Sequence, residues 1–190
     1  TINLTASADL PGGDGGGTDA EGTDNNDTYA ATVEGTTGGT LQNSDVLQAA
    51  GGEDTLNIRA VNVNQTVAPS ATDLEKVAVT SQSAGANFVL DMSGMTGETE
   101  LTAIDTQVTS RTSFMNVDEG AQVRMQNVDG QTLVNFKGDR STSTDDALNL
   151  FVSDAGTAAQ SALFATVDAS NAIDTSFEVA MIETGGEGYD

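Results

Sequence analysis

Residues 55–58 read TLNI, a short run in which two aliphatic side chains, Leu56 and Ile58, alternate with polar ones. Successive side chains of a β-strand point to opposite faces, so these two residues would share one buried face. The run follows GGED, whose residues favour turns. The stretch is therefore predicted to be a short β-strand that follows a polar turn.

Similar runs recur along the chain after residue 58. They lie at residues 77–79, 88–92, 101–104, 113–117, 123–125, 133–136, 147–152, 164–167 and 177–182. Several contain the same alternating pair of apolar residues, namely Val77/Val79, Phe88/Leu90, Val123/Met125, Leu148/Leu150 and Phe177/Val179. Short β-rich runs separated by polar turns predict an all-β chain.

Two architectures fit these runs. A parallel β-solenoid repeats strand and turn in coils of roughly 20–25 residues, and its apolar pairs would stack in one internal column. A β-sandwich is the alternative, but its hairpin dipeptides are scarce here, with Asp129-Gly130 as the one comparable example. The solenoid is the favoured prediction.

The first 50 residues differ from the rest of the chain in composition and pattern. Residues 11–22, PGGDGGGTDAEG, are predicted to be a flexible linker after a short N-terminal strand. Residues 44–51 could form one or two helical turns, with Ser44 or Asp45 as the N-cap. We therefore predict two parts. Residues 1–50 would form an N-terminal segment that contains the short strand, the linker and a stretch leading into the solenoid that could bind calcium, and residues 51–190 would form the solenoid domain.

Composition excludes several classes of function. Six Lys and Arg stand against 29 Asp and Glu, a net charge of −23, which repels nucleic acid and anionic membranes and attracts cations. No apolar stretch approaches a membrane span, so no membrane insertion is expected. The chain has no His, Cys or Trp, which removes Ser/His and Cys/His triads and the best sugar-stacking side chain. We predict that it is not an enzyme.

The last six residues, GGEGYD at 185–190, match the start of the calcium-binding β-roll nonapeptide G-G-x-G-x-D-x-U-x. Glycines let the backbone turn its carbonyls inward, and the aspartate adds a carboxylate, so the ligands are the oxygens that calcium prefers. A plain glycine-rich turn is the alternative interpretation.

Two degenerate copies of this pattern occur upstream: GGEDTLNI at 51–58 and GTDNNDTY at 22–29. Calcium is thus the predicted cofactor. The candidate ligands from the three copies are Gly185, Glu187, Asp190, Gly51, Glu53, Asp54, Asp24, Asn26 and Asp27.

Two smaller clusters receive structural interpretations. Glu98 and Glu100, in GETEL, are predicted to lie on an acidic outer face. Met92 and Met95, in DMSGMTG, are predicted to fill gaps in the core or a turn rather than to bind metal.

The order of GTDNNDTYAATVEG, LQNSDVLQAAGGEDTLNI, ATDLEKVAVTS and ANFVLDMSGMTGETELTAID resembles the repeat regions of bacterial surface-layer proteins and of secreted RTX-type adhesins. The resemblance implies a right-handed parallel β-helix that folds with calcium after type I secretion and acts at the cell surface. It places Gly185, Glu187 and Asp190 at ligand positions, the first two through backbone carbonyls. Asp24, Asp27 and Asp54 correspond less closely, because GGEDT is short and Asn25 replaces an expected glycine.

The resemblance implies a structural protein that self-associates into an extracellular lattice or filament. A calcium-dependent adhesin stalk or binding module is the alternative, and a β-helix enzyme that degrades polysaccharides is the least favoured reading. The chain is expected to be a piece of a larger protein.

Overall fold

A computed structural model describes residues 1–13, 16–35, 39–61, 64–82, 85–118, 120–137, 147–153, 163–167 and 178–185. Among them the regular structure consists of strands and one 3-10 turn at Pro11–Gly13. The strands are β1 (Ile2–Asn3), β2 (Ala8–Leu10), β3 (Gly16–Asp19), β4 (Thr28–Glu34), β5 (Val46–Gln48), β6 (Thr55–Val61), β7 (Asn64–Val67), β8 (Ser70–Thr72), β9 (Lys76–Ser81), β10 (Asn87–Asp91), β11 (Glu100–Ile104), β12 (Arg111–Val117), β13 (Gln122–Gln126), β14 (Gln131–Phe136), β15 (Ala147–Ser153), β16 (Leu163–Val167) and β17 (Glu178–Gly185).

The strands form stacked coils with parallel walls. The first wall is an eight-stranded sheet in the order β1-β4-β6-β9-β11-β13-β15-β17, and the second is a five-stranded sheet in the order β16-β14-β12-β10-β7. A short third wall contains β5 and β8 and is extended by bridges from Gln48 to Glu21 and from Ala71 to Met95. Every described strand pair is parallel. The prediction of a parallel β-solenoid is confirmed, and the β-sandwich is not the fold.

Coil length varies, although the strands of successive coils stay in register. Hydrogen-bonded residues in neighbouring coils are 27 residues apart for Asp27 and Asp54, and 21 for Asp54 and Glu75. The separation is 24 residues for Glu100 and Arg124. The connections between walls absorb these differences, which explains why the spacing of the apolar runs shows no single period.

The interior is filled by side chains that stack from coil to coil. In the first wall Tyr29, Leu56, Val77, Leu101 and Val123 are successive register partners, and all are fully buried. The prediction of one internal column needs correction, however, because the interior also receives a second column from the other wall. Its fully buried members include the successive register partners Leu90, Phe114 and Val134, and Phe88 is buried on the same face of β10 as Leu90.

Other apolar predictions have mixed outcomes. Met92 and Met95 are fully buried, as expected for core residues. Leu150 is buried in the first wall. Phe177 lies outside the described residues, and only the backbone of Leu148 and Val179 is described.

The helix predicted at residues 44–51 is wrong. Residues Val46–Gln48 form β5, with Leu47 buried and its two neighbours facing outward. The Asp45 carboxylate accepts a 2.8 Å hydrogen bond from the Gln42 amide and so closes a turn rather than capping a helix. Pairing with β8 then outweighs the weak local helix signal.

The predicted linker contains regular structure where it is described. Residues Gly16–Asp19 form β3, which pairs with β2, and the following Ala20 is fully buried. The first wall also crosses the predicted boundary at residue 50, because β4 and β6 pair over seven residues. Among the described residues, no helix is long and apolar enough to cross a membrane.

Candidate functional site

The two upstream copies of the glycine-aspartate pattern lie on adjacent coils at the same corner, where the chain enters the first wall. Register pairing places Thr28 beside Thr55. In the turns just before them, the Gly51 amide donates to the Thr23 carbonyl at 3.3 Å, and the Glu53 amide donates to Asn26 Oδ1 at 3.0 Å. The structure thus brings together six predicted ligands: Asp24, Asn26, Asp27, Gly51, Glu53 and Asp54.

Three acidic residues stack at this corner, and we call Asp27, Asp54 and Glu75 the acid ladder. The Asp27 amide donates to Asp54 Oδ1 at 2.5 Å. The Asp54 amide in turn donates to Glu75 Oε2 at 2.7 Å. Each of these two carboxylates therefore binds the backbone of the preceding coil. In the next coil the equivalent residue is Thr99, whose amide donates to the Glu75 carbonyl at 2.8 Å. Its side chain carries no charge, so the acid ladder ends at Glu75.

Glu75 is a member that the motif comparison missed. Each ladder residue lies two positions before the first inward side chain of its strand, which is Tyr29, Leu56 or Val77. Glycine spacing cannot reveal Glu75, because ATDLEKV contains no glycine. Alignment on the inward side chain would have found it.

Asp54 is the electrostatically unusual member of the ladder. Its side chain is fully buried, and its Oδ2 atom has no hydrogen-bond partner in the described part of the chain. Burial raises the pKa of Asp54; the bond from the Asp27 amide opposes this, and the charges of Glu75 and Asp27 add to it. The ionised carboxylate is therefore short of a positive charge or a donor.

Asp27 has the opposite environment. The Thr23 hydroxyl and the Thr23 amide donate to its Oδ2 at 2.8 and 2.7 Å. These hydrogen bonds lower the pKa of Asp27. The corner therefore joins a readily ionised aspartate to a buried one whose charge is poorly compensated.

The backbone conformation at Gly52 explains why the second residue of GGEDT is a glycine. Its φ angle is 124°, and a Cβ atom there would lie only 2.7 Å from the backbone carbon of Asn25 in the preceding coil. A Cβ atom at Gly51 would instead keep an ordinary 3.6 Å contact with Asp24. Close stacking of the two turns thus requires glycine at position 52 and not at 51.

A second buried aspartate gives a useful comparison. Asp45 is fully buried, as Asp54 is, and burial also raises its pKa. Both of its oxygens have donors, however: the Asp9 amide reaches Oδ1 at 3.1 Å, and the Gln42 amide reaches Oδ2 at 2.8 Å. Asp45 is a satisfied structural carboxylate, whereas Asp54 retains an oxygen with no hydrogen-bond partner among the described residues.

The remaining predicted ligands are less well placed. The Glu53 carboxylate makes a 2.6 Å ion pair with Lys76, which neutralises part of the corner. Gly185 ends β17, at the opposite edge of the first wall from β1, so the third copy is not part of the acid ladder. Glu187 and Asp190 lie outside the described residues.

Within the described ranges, no group of three or more Asp, Glu, His or Cys residues is arranged to hold a metal ion. Any cation at the corner would therefore need oxygens besides carboxylates, such as the Asn26 amide, backbone carbonyls and water. Those are the ligands of a hard cation.

No protein-family model, curated protein or solved structure matches this chain. The resemblance to surface-layer and RTX-type proteins therefore stays a prediction.

Proposed function

We propose that this chain is a non-catalytic structural segment of a secreted bacterial surface protein, and that calcium stabilises its stacked turns. The observation that carries the proposal is the buried Oδ2 of Asp54 within the acid ladder, which has no hydrogen-bond partner in the part of the chain that the structure describes. A buried carboxylate oxygen without a donor is costly, and a bound cation would remove that cost.

The residues at the corner fit calcium in their chemistry. Asp54 would supply the buried carboxylate, and Asp24, Asn26 and Asp27 would supply further oxygens from the adjacent turn. Calcium accepts six to eight oxygens in a flexible arrangement, so carbonyls and water can complete the shell. Magnesium demands a tighter octahedron and dehydrates reluctantly, which makes it a poor substitute.

The parallel walls support the structural role. The parallel pairing of the walls links each coil mainly to its neighbours, as in other repeat proteins. Calcium would reduce the repulsion within a chain of net charge −23 and would allow copies to approach one another. Self-association into an extracellular lattice or filament is the role that we propose, after export by a type I system.

Thermal unfolding followed by circular dichroism tests the calcium proposal. A site that only the folded protein offers should add about 2.7 kcal/mol to the free energy of unfolding when calcium exceeds its dissociation constant a hundredfold. We expect melts in millimolar calcium to shift upward relative to melts in excess chelator, and equal magnesium to restore little of the shift. Identical melts in chelator and calcium would reject a calcium-stabilised fold.

Electron microscopy of the purified protein with calcium tests self-association separately. Ordered sheets or fibres are expected for a lattice or filament segment. Dispersed particles at all protein concentrations would count against self-association and favour the adhesin alternative.

A further inference from the structure

A second corner of the solenoid holds a buried glutamate whose carboxylate oxygens have no hydrogen-bond partner among the described residues. Glu98 lies between Met95, the last described bridge of the third wall, and β11. Its predicted place on an acidic outer face is wrong, because the residue is only 5% exposed. Neither of its carboxylate oxygens has a partner in the described part of the chain. An ionised carboxylate is strongly disfavoured in such surroundings.

Two charged side chains from the following coils meet Glu98 at this corner. Asp118 directly follows β12, and it lies close enough to Glu98 to raise the pKa of the Glu98 carboxyl group. Lys137 directly follows β14, and its Nζ atom lies 2.8 Å from Asp118 Oδ1. The same ammonium donates to the Met95 carbonyl at 3.3 Å, which ties the cluster to the edge of the third wall.

Asp91, at the end of β10, is the further charged group that faces Lys137 among the described residues. Its Oδ1 atom accepts hydrogen bonds from Asn116 Nδ2 at 2.8 Å and from the Ser93 amide at 2.9 Å. Asp91 is therefore satisfied as an ionised carboxylate and does not compete for a proton.

Charge balance identifies what the cluster lacks. The Glu98 and Asp118 carboxylates with the Lys137 ammonium carry one excess negative charge. A proton removes that charge, whereas a divalent cation would leave a positive excess and compete with Lys137 for the oxygens of Asp118 and Met95. Two ionised carboxylates also have no hydrogen to share, which explains how Glu98 can approach Asp118 and still lack a donor.

We propose that the buried Glu98 carboxyl group keeps its proton in the native fold and donates a hydrogen bond to Asp118, which Lys137 holds against the end of the third wall. The pair is a proton-binding site that closes the corner, and loss of the proton as the pH rises loosens it. Burial is the main cause that raises the pKa of Glu98; the nearby backbone amide of Glu98 itself opposes this, Asp118 adds to the increase, and Lys137 opposes it.

The direction of the pH effect follows from the raised pKa. Between the ordinary pKa of glutamate, about 4.3, and the higher value in the fold, the native state binds more protons than the unfolded state. Stability from the pair is thus fully present below the ordinary value and is lost as the pH rises through the raised value. One linked proton lowers the folding equilibrium constant by up to about tenfold per pH unit in that window.

Urea unfolding in excess chelator, from about pH 4 to pH 9, tests the linkage. The variant Glu98→Gln keeps the shape of the protonated side chain and should flatten the pH profile by about one proton. Glu100→Gln is the matched control from the same GETEL segment, because Glu100 makes a 2.7 Å ion pair with Arg124 instead. It should keep the wild-type profile over this range. Parallel profiles for wild type and Glu98→Gln would overturn the proposal.

Carbon-13 NMR of the side-chain carboxyl groups supplies a readout that does not require the variant to fold. In the wild-type protein with chelator, the carboxyl carbon of Glu98 should titrate above the ordinary glutamate value. The Asp118→Asn variant should lower that midpoint, because Asp118 raises the pKa of Glu98. An ordinary or lower midpoint for Glu98 would reject the proposal that Glu98 keeps its proton in the native fold. A calcium-induced change in the Glu98 signal at constant pH would also reject it, in favour of a metal site.

Discussion

Replacing Asp54 with asparagine should change the stability of the protein in opposite directions with and without calcium. Asparagine keeps a side-chain oxygen that can accept the 2.5 Å hydrogen bond from the Asp27 amide. It also removes a fully buried negative charge that lies close to Asp27 and Glu75. In excess chelator, we therefore expect Asp54→Asn to be as stable as wild type or more stable, by up to about 1 kcal/mol.

In saturating calcium the same variant should be less stable than wild type. It loses the carboxylate that the cation would bind, and with it the increment of about 2.7 kcal/mol expected at a hundredfold excess of calcium. For a chain of this size, that increment corresponds to about 5–11 °C in the midpoint of thermal unfolding. Melts in chelator and in calcium, repeated for both proteins, measure the difference of differences directly.

Asp45→Asn is the matched control, because Asp45 is equally buried but both of its oxygens already have amide donors. It should alter stability by the same amount in chelator and in calcium. The reasoning would be refuted if Asp54→Asn kept the full calcium increment of the wild type. Loss of the increment in both variants would show a general effect of charge rather than a site at the acid ladder.

Three further outcomes are expected. Gly52→Ala should destabilise the fold by about 1–3 kcal/mol because of its φ of 124° and the contact with Asn25, whereas Gly51→Ala should cost much less in the same urea titration. Phe114→Ala should cost about 3–5 kcal/mol, since the ring is fully buried, and a loss below 1 kcal/mol would contradict the described core. The raised pKa of Asp45 predicts stability that is present below the ordinary aspartate value and declines as the pH rises through the raised value, and Asp45→Asn should remove that part of the pH profile.

The sequence predicts the first wall well, because inward side chains such as Leu56 and Val77 alternate visibly with polar ones. It does not distinguish the two main walls, since the run that contains Phe88 shows the same alternation. The strand β5 is also hard to predict, because three residues carry little periodic signal and its pairing with β8 depends on another coil.

Of the two polar sites, the sequence predicts one and not the other. Stacking of the turns around Asp27 and Asp54 follows from similar motifs that precede similar strands. The burial of Glu98 could not be predicted, because Asp118 and Lys137 reach it from two later coils and no local pattern links them. The alternation of apolar and polar residues shows which side chains one strand buries. The burial of a side chain at a corner depends instead on which coils stack there and where each connection turns.

The close separation of paired residues has a consequence for how the chain reaches its native state. Partners in successive coils of the first wall lie about one coil apart in sequence, for example 21 residues for Asp54 and Glu75. Each new coil can therefore dock on its finished neighbour at a small cost in loop entropy. Assembly can then proceed coil by coil along the chain, with each completed coil acting as the template for the next. If the proposed calcium site at the acid ladder forms, its binding energy would favour nucleation at the coils that contain Asp27 and Asp54.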